Sequence, residues 1–405
     1  MMAAITAARS GAEVTLYEKN DRVGKKILAT GNGKCNFSNK DLSPDHYYGN
    51  KEKLKDYLSR FSGEDTLFFF QQAGMLVKEK RGCLYPWSEQ ASTVLDILRR
   101  EMKGIKTELS AEVKEISWNK KERAFTVLLS SERKAEGYDA VVLACGGCAA
   151  PKTGSDGSGF ALAKKLGHHI VPTVPALVQL RCKDDFLKAV AGVRCEAKIS
   201  LYEKGKEDRL VQEEEGELQF TDYGISGIPV FQLSRQAAYL MAEGKTGAAS
   251  IDLLPQIDSL TYDIICEDRV KRTEDKTLEE FLLGLANKKI NLMIIKEAGY
   301  KPGDMAKRLG KGQLKRLLYS YKELWVHLLA ANSFEHAQVT AGGIDLNEVT
   351  EEMESLKRPG LYFAGEMLDV DGRCGGYNLQ WAWTSGYIAG RSAAERIYRE
   401  QYGKE

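Results

Sequence analysis

The chain has 405 residues, 43% hydrophobic and 28% charged, with a formal net charge of +1. This is the composition of a soluble globular protein of two or three domains. Near neutrality offers no global field for nucleic acid or an anionic membrane, although a local basic face is compatible with it. No apolar run approaches the ~20 residues of a membrane span, and the first residues lack the order of a secretory signal. The eight cysteines are scattered without the spacing of a disulfide scaffold or structural zinc, so no metal site and reduced thiols in a cytoplasm are expected.

Residues 1–10 read as a helix without an N-cap. Ala3, Ala4, Ala7 and Ala8 give it a small-residue face, and Gly11 ends it. The apolar strand 14–17 follows, with Glu18 at its end. Helix, turn, strand and terminal acid form the second half of a Rossmann βαβ unit, whose acid accepts ribose hydroxyls. The first half, a strand and a G-x-G-x-x-G loop about 20 residues before the acid, would fall before Met1. The expectation is that the sequence starts inside a dinucleotide motif; a plain N-terminal helical hairpin is the alternative. Residues 22–39 are rich in Gly, Asn and Lys and read as a non-helical loop. Lys25 and Lys26 are candidates to meet phosphate, and Gly31 to Gly33 to turn backbone N–H groups toward a polar ring. A solvated surface loop is the plainer reading.

Residues 54–73 read as one amphipathic helix, 82–87 as a turn and 91–102 as a second helix. Strands are expected at 111–116, 124–129 and 138–144. The last runs into Gly146-Gly147, and a second cofactor-touching loop follows at 151–159. Cys145-Gly-Gly-Cys148 is either a redox pair or two incidental thiols beside glycines that admit a ligand. From residue 173, short strands at 197–202, 210–212, 217–220 and 248–253 suggest an inserted β-rich subdomain. Residues 258–324 read as helical and rich in Lys and Arg, either a solvated face or one that meets an anionic substrate or RNA. The chain returns at 338–344 to a strand carrying Gly342-Gly343. The expected domains are 1–172 and 336–405 as two parts of one cofactor domain, 173–255 as a barrel-like β subdomain and 256–335 as a helical subdomain.

In the stretch 361–386, a strand runs into Gly365-Glu366. A glycine-rich loop occupies 371–376, and a helix opens near Tyr377-Asn378 with Ala382, Ser385, Gly386 and Ala389 on its surface. Unpaired N–H groups and the positive end of a helix dipole then face one spot, an arrangement that binds anions. Glu366 is placed to accept hydrogen bonds from sugar hydroxyls. An ordinary strand–loop–helix connection is the alternative.

Six stretches share one resemblance: Val14-Thr-Leu-Tyr-Glu18, residues 24–39, Leu143-Ala-Cys-Gly-Gly147, Phe220-Thr-Asp-Tyr-Gly-Ile-Ser-Gly227, Val339-Thr-Ala-Gly-Gly343 and residues 361–386. Together they span nearly the whole chain. The sequence resembles the bacterial FAD-dependent flavoprotein family that includes the bile-acid-inducible flavoprotein, whose FAD domain is similar to those of glutathione reductase and the fumarate reductase flavoprotein subunit. The resemblance implies an α/β fold: a Rossmann-like FAD-binding domain, N-terminally truncated here, with inserted β-rich and helical substrate subdomains. It implies that Glu18 takes the adenosine ribose and that Val113 offers backbone near the adenine. Gly31, Gly33, Lys34, Cys35 and Asn36 would lie along the flavin. Gly365 and Glu366 would hold the ribityl or phosphate side, and Gly376, Asn378 and Leu379 would cap the ring. Lys25, Gly146, Gly147, Gly342 and Gly343 complete the expected cofactor contacts.

The implied activity is reduction of a C=C bond conjugated to a carbonyl, in a 3-oxo-4,6-diene bile-acid or steroid-like small molecule. NAD(P)H is the expected electron source; with no second G-x-G-x-x-G in view, an electron-donor protein is the alternative. Candidate proton or hydrogen-bond donors are Lys34, Tyr377, Arg373 and the N–H groups of Gly342-Gly343. His336 is a candidate acid, although a lone histidine is more often structural. Other readings are a reductase of uridine in RNA, disfavoured by the charge balance, a small-amine oxidase, and a non-catalytic FAD electron-transfer module.

Overall fold

The computed structural model describes residues 1–402, with side chains through residue 396. The chain forms two compact units, Met1–Val174 with Ala337–Glu405, and Pro175–His336.

In the first unit, α1 (Met2–Arg9) leads into β1 (Thr15–Tyr17). The expected non-helical loop contains a short helix, α2 (Lys25–Ala29), started by Gly24 in the left-handed region at φ +78°. After β2 (Ser38–Asn39) and β3 (Tyr47–Tyr48), the single helix expected over 54–73 is two, α3 (Lys51–Arg60) and α4 (Gly63–Gln72). The break is chemical: the Ser62 side chain accepts from the Asp65 N–H while Asp65 reaches back to the Ser62 N–H. That capping box starts a new helix rather than continuing the old one. Residues 82–87, expected as a turn, are mostly strand. β4 (Val77–Lys80) and β5 (Cys83–Pro86) form a hairpin turning at Arg81-Gly82, both with positive φ.

α5 (Ala91–Glu101) buries Val94, Leu95 and Leu98 and exposes its basic end. β6 (Lys106–Glu108) pairs in parallel with β1. An antiparallel sheet follows, β7 (Val113–Asn119), β8 (Ala124–Leu129) and β9 (Lys134–Tyr138). β10 (Val141–Leu143), α6 (Ser158–Lys165) and β11 (Ile170–Ala176) complete the first segment.

The second unit is organised by a closed barrel. Its strands are β12 (Leu180–Cys182), β13 (Arg194–Lys204), β14 (Arg209–Phe220), β15 (Gly224–Ser226), β16 (Thr246–Asp252) and β17 (Leu324–Ala331), in the order β12-β15-β14-β13-β16-β17. The stretches read as short strands at 210–212 and 217–220 belong to one long strand, buried only at Leu218 and Phe220 near its end. A helix absent from the sequence-based expectation, α8 (Ile228–Ala242), carries a Pro at its second position and packs against the barrel. α7 (Leu187–Val190), α9 (Ser259–Lys271), α10 (Leu278–Leu282), α11 (Lys288–Glu297) and α12 (Lys311–Tyr319) surround it. The expected boundary at 255/256 lies inside this structure: β17 comes from the later segment and closes the barrel. Ile199, Phe220 and Ile251 of the strands share one core with Tyr262, Phe281 and Leu317 of the helices.

On its return, the chain adds β18 (Val339–Ile344) beside β11, β19 (Leu361–Phe363) in parallel with β10, β20 (Asp371–Gly372) and α13 (Tyr377–Tyr402). The small residues of the two termini meet. A Cβ at Gly390 would lie 2.2 Å from the Ala3 carbonyl oxygen, so α1 and α13 touch through bare backbone. Around α13, Trp381, Phe363, Tyr57 and Phe125 are buried, each contributing about 1.5–3 kcal/mol or more by area removed from water. No helix among the described residues is long and apolar enough to cross a membrane.

Candidate functional site

Parallel strands bring ligands to their carboxyl ends, because the loops that leave there converge. β1 leads to Glu18, β10 to the loop 144–157, and β19 to the loop 364–376. Polar side chains stitch these loops together. Lys19 Nζ lies 2.5 Å from Asp156 Oδ2, and Asn20 Nδ2 donates to the Thr153 carbonyl at 3.1 Å. Lys26 Nζ donates to Glu366 Oε2 at 2.6 Å, to the Ala149 carbonyl at 3.1 Å and to Ser155 Oγ at 3.4 Å. The other Glu366 oxygen accepts from the Thr340 N–H at 2.6 Å, while Thr340 Oγ1 accepts from the N–H groups of Cys148 and Ala149 at 2.7 and 3.0 Å. Sequence pattern offers Lys26 to phosphate and Glu366 to a sugar; in the structure each is first a partner of the other. Lys25 pairs with Asp21 at 2.6 Å.

Gly147 is demanded by this network, since a Cβ there would lie 2.4 Å from Thr340 Oγ1 and 3.1 Å from Glu366 Oε1. At Gly146 a Cβ would meet Ser155 Oγ at 2.7 Å. Ala144 and Cys145 are exposed although Leu143 before them is buried. Desolvation by the surrounding protein nevertheless pushes the Cys145 thiol up to about 11.

The Glu18 carboxylate uses one oxygen to hold the Asn20 N–H and Nδ2 at 2.8 and 2.9 Å. The other makes no hydrogen bond among the described residues. Beyond α2, Gly31, Asn32, Gly33 and Cys35 all have positive φ. This kinked run exposes Gly31 to Lys34 and buries Cys35, whose thiol burial pushes up to about 11. Lys34 is half-exposed and lies 3.4 Å from Glu89.

Asn36 Oδ1 is a buried acceptor without a partner. A Cβ added at Gly376 would sit 2.7 Å from it and 2.5 Å from the Ser38 carbonyl oxygen. The first turn of α13, with Tyr377, Asn378 and Leu379, opens beside this point. Its N–H groups lack intrahelical acceptors. Asn378 locks the loop ahead of the helix: its Oδ1 accepts from the Gly372 N–H and its Nδ2 donates to the Gly372 carbonyl, both at 2.8 Å. Leu379 is half-buried against the α5 core. Tyr377 stacks on His46 with centroids 4.8 Å apart, and burial pushes its phenol up to about 12. The Arg373 N–H donates to the His46 carbonyl at 2.9 Å.

The remaining expected groups lie as follows. Gly342 and Gly343 are buried in β18, where a Cβ would strike the Pro172 carbonyl at 2.4 Å or the Met367 carbonyl at 2.8 Å. His336 is exposed in the other unit, its N–H on the Ser333 carbonyl. Val113 begins β7, half-buried opposite Leu129.

The buried polar face of α13 is functional structure that sequence reasoning missed. Gln380 Oε1 accepts from Ser38 Oγ at 2.6 Å, Trp383 Nε1 donates to the Phe37 carbonyl at 2.9 Å, and Ser385 Oγ accepts from the Gly365 N–H at 2.8 Å. These bonds fix the loops around the site. The signal is present in Gln380, Thr384 and Ser385, polar residues among the apolar ones of 379–390. No group of metal-ligating side chains occurs among the described residues.

A dinucleotide such as FAD fits what is present. A free carboxylate oxygen stands at a strand end, an unpartnered amide oxygen faces a bare glycine, and a long helix points unpaired N–H groups at the same place.

Comparison with known proteins agrees with this geometry. The chain is 40% identical over 400 residues to the 3-dehydro-bile acid delta(4,6)-reductase of Clostridium scindens, covering 98% of this chain and 97% of that protein. It is 30% identical over 395 residues to the ribosomal RNA dihydrouridine synthase of Escherichia coli, covering 96% and 93%. Among solved structures, E. coli quinol fumarate reductase FrdA superposes with a TM-score of 0.50 at 15% identity over 100% of this chain and 69% of that one, a likeness of fold. The sequence profile of the HI0933-like protein Rossmann domain matches residues 1–392, and the chain belongs to that family.

Proposed function

We propose that this chain is an FAD-dependent oxidoreductase that reduces a C=C bond conjugated to a carbonyl in a 3-oxo-4,6-diene bile-acid or related steroid. NAD(P)H supplies the electrons in this reading, and the cytoplasm is the setting, in keeping with eight unbridged cysteines. The observation that carries the substrate class is the 40% identity, across nearly both full lengths, to a reductase of that chemistry.

Bound FAD supplies the hydride chemistry. The chain's own residues bind and orient. Glu18 is assigned to ribose hydroxyls, and the first turn of α13 with Asn36 to the polar edge of the ring. The Lys26–Glu366–Thr340 network holds the loops that meet the cofactor. Enone reduction also needs a hydrogen-bond donor at the carbonyl oxygen and a proton for carbon. Tyr377, the first residue of α13, suits the donor role, because a phenol is a neutral O–H donor at neutral pH. Lys34 and Arg373 are the remaining side-chain candidates beside the loops.

The rival reading is reduction of uridine in RNA, which rests on the 30% identity to an RNA dihydrouridine synthase. The test loads the protein with FAD, reduces it anaerobically with NADH or NADPH, and follows reoxidation on mixing. Fast reoxidation by a 3-oxo-4,6-diene bile acid, and slow reoxidation by ribosomal RNA fragments, is the expected result. Reoxidation by RNA alone would transfer the chain to the rival reading, and inertness toward both would leave an electron-transfer role.

A further inference from the structure

The β4–β5 hairpin has two chemically different faces. Register places Lys78 opposite Tyr85 and Lys80 opposite Cys83, so these four side chains share one face and Trp87 continues it. Val77, Glu79, Leu84 and Pro86 occupy the other, with Leu84 and Pro86 buried and Glu79 exposed and paired with Lys40. On the first face Lys78 Nζ stands 5.8 Å from the centre of the Trp87 ring, within cation–π range. Trp87 is 62% exposed, and the neighbouring Leu76, whose carbonyl accepts the Trp87 N–H, is 73% exposed. The two lie side by side, and contiguous exposed apolar surface, unlike single scattered residues, marks interaction sites.

Charge on this face is concentrated at one point. Lys78 and Lys80 each lie 2.6 Å from Glu89 Oε1, and Lys34 lies 3.4 Å from Glu89 Oε2. Three cations thus share one carboxylate, leaving a local excess of positive charge. The face is also continuous with the cofactor loops. Cys83 pairs with Asn39, whose Nδ2 donates to the Gly375 carbonyl at 2.9 Å, one residue before Gly376.

We infer that this face, with Tyr85 and Trp87 as the apolar floor and Lys78 and Lys80 as the counter-charge, binds the anionic side chain and adjoining rings of a flat polycyclic substrate. The inference rests on the enone-reductase reading above and adds which part of the substrate is recognised, and where. A single focus of positive charge matches one carboxylate. An RNA strand would instead need cations spaced along successive phosphates.

The experiment compares a 3-oxo-4,6-diene bile acid with its methyl ester, using FAD-loaded protein and the variants Lys78→Ala/Lys80→Ala and Trp87→Ala. For the native protein, KM for the acid is expected to be about 10-fold below that for the ester, a preference that shrinks as salt rises. The double lysine variant should lose the preference with kcat unchanged, and Trp87→Ala should raise KM for both compounds. Equal KM values for acid and ester in the native protein, or a preference that survives in the double variant, would overturn the inference. If neither compound is reduced, the enone reading itself fails. The surface is then judged by equilibrium binding of a saturated bile acid, read as a shift in thermal stability. Binding weakened by the lysine substitutions supports it, while no binding, or lysine-dependent binding of RNA only, rejects it.

Discussion

Lys26 Nζ lies 2.6 Å from Glu366 Oε2 and so joins two residues 340 positions apart. The contact closes a chain of bonds that runs through Thr340 to the backbone of Cys148 and Ala149. Loops from three strand ends are thereby held as one object. Glu366 is mostly shielded, with 19% of its side chain exposed, and Lys26 moderately so, with 30%.

Lys26→Met removes the cation and leaves the shielded carboxylate. The cost lies between that of a surface pair and a buried one, about 1–3 kcal/mol. The expected readout is a lower melting temperature without added cofactor and weaker FAD binding by fluorescence titration. Lys26→Arg should recover part of both. If Lys26→Met binds FAD as the native protein does, the network has no part in shaping the site.

Gly376 and Gly33 share left-handed backbone, at φ +92° and +83°, but differ in surroundings. A Cβ at Gly376 would lie 2.5 Å from the Ser38 carbonyl oxygen, whereas one at Gly33 would meet nothing within 4 Å. Gly33→Ala is expected to cost the backbone strain alone, about 1 kcal/mol. Gly376→Ala adds a clash with backbone and should cost about 2–4 kcal/mol, with loss of FAD binding. Urea unfolding of the two variants, side by side, measures the difference.

These contrasts show what a linear reading can and cannot reach. Glu18 at the end of β1 and the opening of α13 at Tyr377 follow from local pattern, and both stand where pattern puts them. The small faces of α1 and α13 are visible in sequence, but their mutual contact is not. The break between α3 and α4 is legible in Ser62 and Asp65, yet the apolar run Leu67 to Phe70 outweighs it in a periodicity reading. The role of Lys26 has no local signal. A lysine in a glycine-rich loop looks like a phosphate ligand until the fold sets Glu366 beside it. At Gly342 and Gly343 pattern marks the doublet, but only the fold shows that carbonyls of the protein itself lie where a side chain would need room.

Cys145 and Cys148 are both free thiols. Desolvation pushes the first up to about 11 and raises the second, whereas a thioredoxin-type pair needs a lowered thiol. Alkylation of Cys145 at pH 7 should be about 100-fold slower than that of free cysteine, because the thiolate is correspondingly scarce. Mass spectrometry after timed iodoacetamide treatment measures this directly. Rapid labelling, or a disulfide formed under mild oxidant, would restore the redox reading of the motif.

His168 sets an acid limit on stability. Its side chain is enclosed, with Nδ1 2.9 Å from Glu348 Oε2 and Nε2 2.8 Å from Ser355 Oγ. Burial lowers its pKa despite the neighbouring carboxylate, so the folded protein favours neutral imidazole. Burial also pushes Glu348 up, but hydrogen bonds from Lys357 and the His169 N–H prevail and hold it below the usual carboxylate range. An unfolded histidine takes its proton near pH 6.5. The stability owed to neutral His168 is therefore present above that pH and is lost as pH falls toward the lowered folded value, at up to about 1.4 kcal/mol per pH unit. Glu348 adds its own loss only at still lower pH, below the ordinary carboxylate value. Between about pH 6.5 and pH 5 the native protein should lose stability more steeply than His168→Leu. That variant is weaker at neutral pH because Glu348 and Ser355 lose a partner. Parallel slopes in urea unfolding across this range would mean that some other group sets the acid limit.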